Sequence, residues 1–124
     1  MSNDGLTLSQ TALLIAYSIG MSGGQILFKL AAIHHTAGTG RAGERLLALT
    51  YNLHFLSALA LYGGLSVLWV WILTFTPLSR AYPFVALAFA LTPALAAWLF
   101  GETVSLRLIV GTLLILCGLY FVTG

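Results

Sequence analysis

Ser18, Ser22, Gln25 and Lys29 recur at steps of four, three and four residues inside a long apolar run. That spacing puts all four on one face of a helix. A lysine at the centre of a bilayer costs roughly 2.5–3.5 kcal/mol on insertion scales. Nearer a helix end, its stem can stay in lipid while the ammonium reaches the headgroups. Two chemistries suit such a stripe. In one, Lys29 snorkels and Gln25 bonds to a neighbouring helix. In the other, Lys29 is a cation for an anionic group, above all a phosphate. Gln25 then supplies donors and Ser22 extends the polar path. Gly23 and Gly24 precede Gln25 and permit close approach of a backbone or a ligand.

Other polar and aromatic residues carry fewer options. Glu102 is one of three carboxylates in the chain. It is placed to pair with Arg107, to cap the helix that follows, or to titrate. Arg80 suits a headgroup contact, with a substrate contact as the alternative. Trp69, Trp71, Phe75, Tyr82 and Phe84 gather where aromatic belts form. Trp71 reads as an interfacial anchor, whereas Trp69 and Tyr82 suit an anchor or a cavity wall. Pro93 lies mid-run and frees a carbonyl near Phe89, which allows a kink or merely shapes packing. His54 is a lone histidine near the start of the second run, and His34 with His35 makes a sparse metal set. Cys117 stands alone, so neither an intramolecular disulfide nor a zinc frame is available. No phosphate loop, metal motif or nucleophile with a partnered base occurs. The expectation is a protein that is not an enzyme and has no cofactor.

The elements that must hold these residues follow from composition. Hydrophobic residues make up 60% of the 124, and charged ones 6%. A soluble domain of this size needs more charge on its surface. Unpaired backbone groups are costly in hydrocarbon, so long apolar runs there are helices. A span needs about 20 residues. Four runs meet or approach that length: 8–33, 54–75, 81–100 and 106–122. The expected fold is an all-α membrane protein, one four-helix transmembrane domain over 1–124. His34 to Arg45 reads as an exposed loop, with an interfacial lead-in over Leu46 to Leu53. Thr76 to Arg80 and Gly101 to Ser105 read as tight turns, and Ser105 suits an N-cap. The opening Met1-Ser2-Asn3-Asp4 lacks the basic start of a signal peptide, so the first run is expected to be retained.

Lys29, Arg41, Arg45 and Arg107 fall on one side of this map and Arg80 on the other. The positive-inside rule puts the first and third connections in the cytoplasm. Five scattered basic residues form no nucleic-acid footprint. Gly111 and Gly118 lie seven apart on the fourth run and share a face. Small residues let membrane helices approach closely. That face suits a helix of the same bundle or a second copy, and a chain this small encloses more space as a dimer.

Several motifs fall in a familiar order. They are Gly24-Gln25-x-x-x-Lys29, Pro77-Leu78-Ser79-Arg80-Ala81-Tyr82-Pro83, Phe100-Gly101-Glu102, and the run from Gly111 to Gly118. Together, over about Leu13 to Val122, the chain resembles the drug/metabolite transporter superfamily. Two branches compete. Small multidrug resistance transporters share the plan, but their proton-for-cation exchange uses a first-helix glutamate. Counting back from the shared lysine, that place is held here by Met21. No Asp or Glu occurs from Leu6 to Gly43. The other branch is the small subunits of the flippase for aminoarabinose linked to undecaprenyl phosphate, in the EamA-like group. Its first helix carries Gly-Gln and a lysine, and its third begins Ala-Tyr-Pro.

The second resemblance implies a multi-pass protein of the bacterial inner membrane. It implies a homodimer or a heterodimer with a homologous four-helix subunit. It also implies transport of a polyprenyl-phosphate-linked sugar between leaflets. The expected substrate set is Lys29, Gln25 and Ser22, with Tyr82 and Trp69 as cavity wall, Arg80 at the far surface and Glu102 in a coupling or structural role. Two alternatives stay open. One is a proton-coupled exporter of cations or metabolites, and the other is an accessory subunit of a membrane glycosyltransferase.

Overall fold

The computed structural model describes residues 6–35 and 41–123. Its helices are α1 (Leu8–His35), α2 (Ala42–Leu49), α3 (Leu53–Leu73), α4 (Leu78–Ala81), α5 (Val85–Phe100) and α6 (Leu106–Thr123). A 3-10 turn at Tyr82–Phe84 joins α4 to α5. The described residues are helical throughout apart from short connections, so this is the helical membrane bundle that the composition requires. Three stretches are long and apolar enough to span a bilayer, Leu8–Ile33, Leu53–Leu73 and Leu78–Phe100, and Leu106–Val122 is a shorter apolar helix.

Local chemistry sets the helix ends. Thr7 and Gln10 form a reciprocal capping box at the start of α1. The Thr7 N–H donates to Gln10 Oε1 at 2.8 Å, and the Gln10 N–H to Thr7 Oγ1 at 3.2 Å. Asn52 caps α3 by accepting from the His54 and Phe55 N–H groups at 2.9 and 3.3 Å. Gly101 ends α5 in the left-handed conformation, with φ of 65°. Ser105 caps α6 as expected, its Oγ accepting from the Leu108 N–H at 3.1 Å.

Several boundaries differ from the expectation, α1 running to His35 and α3 ending at Leu73 among them. Residues Ala42 to Arg45 belong to α2 rather than to a loop. This short helix buries no residue and sets leucines against polar residues, as an interfacial helix does. Leu78 to Ala81 also join the helical stretch, so the turn after α3 shrinks to Thr74 through Pro77. Pro83 fits because it sits at the start of the 3-10 turn, where a missing N–H breaks no helical bond.

α1 is central. It packs against α3 on one side and α5 on the other, and α6 packs on α5. The register with α5 is parallel, since Ser18, Ser22 and Lys29 meet Phe84, Thr92 and Glu102 in turn. At one end the Gln10 side-chain amide donates to the Phe75 carbonyl at 2.9 Å. At the other, Lys29 meets Glu102. These ties lie about 28 Å apart along α1, close to the thickness of bilayer hydrocarbon. The buried core is small and includes Leu14, Ile72, Ala81 and Phe84. Large apolar side chains on every spanning segment face outward, among them Ile19, Val67, Phe89 and Leu114. Lipid is the solvent such a surface requires.

Candidate functional site

The polar stripe on α1 divides into two halves. The lower half is sealed. Ser18 is buried, and its hydroxyl donates to the Phe84 carbonyl at 2.7 Å. Ser22 is equally buried and accepts from the Thr92 hydroxyl at 3.2 Å. These two serines hold α1 to the α5 side, as interhelical hydroxyls do in membranes. Ser22 is closed off here. It has no exposed surface, because α5 covers it.

The upper half is open. Gln25 and Lys29 are exposed. The Gln25 amide donates to the Tyr62 hydroxyl at 2.8 Å, and that hydroxyl donates to the Met21 carbonyl at 3.1 Å. Gln25 thus bonds to a neighbouring helix and still borders a groove of about 380 Å³ between α1 and α5. Met21, Val85, Ala88, Phe89, Thr92 and Pro93 complete its lining. No carboxylate lines it. Met21, at the place of the multidrug-type glutamate, contributes an apolar thioether to this wall.

Lys29 Nζ lies 3.4 Å from Glu102 Oε1, with 48% and 47% of the two side chains exposed. Glu102 is therefore matched with Lys29 and not with Arg107. Gly101 makes this possible, since its left-handed turn lets the chain leave α5 on the side of α1. A pair this exposed contributes at most about 1 kcal/mol to stability. It can open at little cost.

Tyr62 is the residue that the sequence reading missed. It stacks on Phe28 with ring centroids 5.3 Å apart, and its hydroxyl joins the α1 and α3 polar groups. A tyrosine in mid-span was the available signal, because a buried hydroxyl in lipid needs a partner. The role of the glycines also shifts. A Cβ on Gly24 would come within 2.6 Å of the Tyr62 ring, and one on Gly20 within 2.9 Å of Leu65. Gly20 and Gly24 therefore form the close seam with α3, while a Cβ on Gly23 would meet nothing within 4 Å.

Trp69 and Tyr82 come together, but at the opposite end from Lys29. Their rings meet edge to face at 6.4 Å, and Tyr17 stacks on Trp69 at 4.8 Å. Neither lines the Gln25 groove; Tyr82 lies one turn beyond the Val85 end. Arg80 is half-buried on α4 at that same far end. Among the described residues, a Cβ on Gly111 or Gly118 would meet nothing within 4 Å. Leu108, Ile109, Thr112 and Leu113 of α6 instead line a small cavity shared with α5. Among the described residues no group of three metal-ligating side chains occurs. The side chains of His34 and His35 lie outside the described residues.

These features define a class: a small multi-pass helical membrane protein with an amide bordering an intramembrane groove and a cation one turn further along the same helix. Comparison with known proteins narrows it. The chain is 37% identical over 91 residues to a protein of Sodalis glossinidius (strain morsitans) named "Probable 4-amino-4-deoxy-L-arabinose-phosphoundecaprenol flippase subunit ArnE", covering 73% of this chain and 78% of that one. Proteins of the same name match from Enterobacter sp. (strain 638), at 35% over 90% of this chain and 94% of the other, and from Erwinia tasmaniensis, at 32% over 86% and 89%. This chain belongs to the family of those flippase subunits. No family model matches it, and no solved structure does.

Proposed function

We propose that this chain is the small subunit of a flippase that moves a polyprenyl-phosphate-linked sugar between the leaflets of the bacterial inner membrane. The observation that carries the reading is Lys29, a half-exposed cation one turn above Gln25 at the open end of the α1–α5 seam. The family membership supports it, since the relatives are named for a phosphoundecaprenol-linked aminosugar.

The headgroup phosphate takes Lys29 at the membrane surface, and Gln25 donates to it one turn deeper. The isoprenoid tail stays in lipid beside the exposed groove wall at Phe89. Crossing requires the sealed part of the seam to part. The Ser22–Thr92 bond is the lock there. Such interhelical bonds average only about 0.6 kcal/mol in a bilayer, so a polar headgroup can replace it. The far-end cluster of Tyr17, Trp69 and Tyr82, with Arg80 nearby, receives the headgroup at the other surface. The relatives are named as subunits, which supports a partner chain. The unpacked Gly111/Gly118 face of α6 is the surface we assign to it, whether the partner is a second copy or a homologous subunit. The protein transports and catalyses no covalent step.

The test has two parts. Lipids retained by the purified chain are identified by mass spectrometry against an unrelated four-helix membrane protein from the same cells. Enrichment of a polyprenyl phosphate or its glycosyl derivative is expected. Lys29→Met then abolishes crossing in vesicles holding the complete flippase while membrane insertion stays intact. Normal crossing by that variant overturns the phosphate role of Lys29. Proton-driven uptake of a lipophilic cation, with no lipid enriched, would transfer the assignment to the exporter class.

A further inference from the structure

Lys29 and Glu102 are a cation and an anion side by side, both half exposed and 3.4 Å apart, at the entrance of the proposed headgroup path. Glu102 is the one carboxylate of the spanning bundle; Asp4 precedes the described residues and Glu44 lies on the interfacial α2. We infer that Glu102 is the specificity-determining residue of the site: it recognises a positively charged amine on the sugar while Lys29 recognises the phosphate. This inference rests on the flippase reading above.

The argument is one of charge balance. A phosphate that captures Lys29 deprives Glu102 of its counter-ion. The carboxylate then faces a second anion at close range, where like charges repel. A headgroup carrying phosphate alone, or phosphate and a neutral sugar, meets that penalty. A headgroup with an ammonium on the same small ring removes it. The single pair Lys29–Glu102 is exchanged for two pairs, ammonium with Glu102 and phosphate with Lys29, and no charge is left unmatched. Phosphate and amine at opposite corners of a pyranose require the two side chains to move apart. Their exposure and the flexibility of the lysine stem allow this, because no close packing holds the two side chains in place. The 3.4 Å separation is also longer than a tight charge-assisted hydrogen bond. The site thus favours zwitterionic headgroups and rejects purely anionic ones.

The test uses the full chain in lipid nanodiscs and three probes: polyprenyl phosphate, its arabinose derivative and its 4-amino-4-deoxyarabinose derivative. The unmodified chain is expected to hold the aminosugar lipid at least about tenfold more tightly than the arabinose lipid. Glu102→Gln brings the ratio to within about twofold, by weakening the first and strengthening the second. Glu102→Asp restores part of it, and Glu44→Gln leaves it unchanged. If Glu102→Gln preserves the ratio, or the unmodified chain does not discriminate while still binding all three through Lys29, the inference fails and the flippase reading stands. If the unmodified chain holds none of the three, both fail.

Discussion

α1 has two working faces, and they are built in opposite ways. The face toward α3 is tight. Gly24 receives the Tyr62 ring so closely that an added methyl group has no room, and one at Gly20 would displace the tip of Leu65. Phe28 and Tyr62 stack there, and the Asn52 amide donates to the Ala31 carbonyl at 3.2 Å. The face toward α5 is looser, with a groove that Gln25 borders and, one turn further along α1, a half-exposed ion pair. In lipid no hydrophobic drive separates a packed helix pair from a parted one, so packing and hydrogen bonds alone decide which seam stays shut. The tight seam is the better packed one, and the loose seam is the one we propose admits a headgroup. Gln25 stands at the junction, bonded to Tyr62 on one side and bordering the groove on the other.

Substitutions on the two faces should separate transport from stability. The largest effect is expected on the loose side: Lys29→Met abolishes crossing, yet moves the unfolding free energy by no more than about 1 kcal/mol, because the lost pair is exposed. A large stability loss in detergent unfolding would show that the loose seam is structural after all. Next comes the tight side. Gly24→Val is expected to destabilise the fold by about 3 kcal/mol. The Tyr62 ring cannot step aside without breaking its bonds to Gln25 and Met21. Steric trapping in bicelles measures this, and an unchanged value would mean the seam is slack. Tyr62→Phe keeps the stack and removes both bonds, for an expected loss of about 1 kcal/mol. If that variant also alters lipid retention, Gln25 is held in its donor position by Tyr62. Gly23→Ala is the smallest, within about 0.5 kcal/mol. A larger change would show that a partner packs on this residue.

Much of the site was legible as spacing. Gln25 and Lys29 lie on one face for any helix, and Ser105 before an apolar run is a cap wherever it occurs. The Thr7-x-x-Gln10 box is equally local, a threonine with a glutamine three residues on at the head of an apolar run. The pairing of Glu102 was not legible. Arg107 is five residues away in the chain and Lys29 is seventy-three, and sequence distance favours the wrong partner. Nor could spacing distinguish Gly23 from Gly24. The two differ by one residue, or about 100° around a helix, and only the position of α3 makes one essential and the other free.

What the chain determined by itself was its solvent and its secondary structure. Apolar runs of this length have one way to satisfy their backbone groups in lipid, and that argument needs no neighbour. The sequence also determined the kind of charge at the lip of α1, and the absence of a carboxylate from the described part of that helix. Tertiary structure decided which half of the polar stripe is sealed, which cation Glu102 meets, and which glycines are contacts. Those outcomes depend on the parallel register of α1 with α5 and on the approach of α3. Register is set by the sum of many weak packing terms between distant residues, and no local pattern carries that sum.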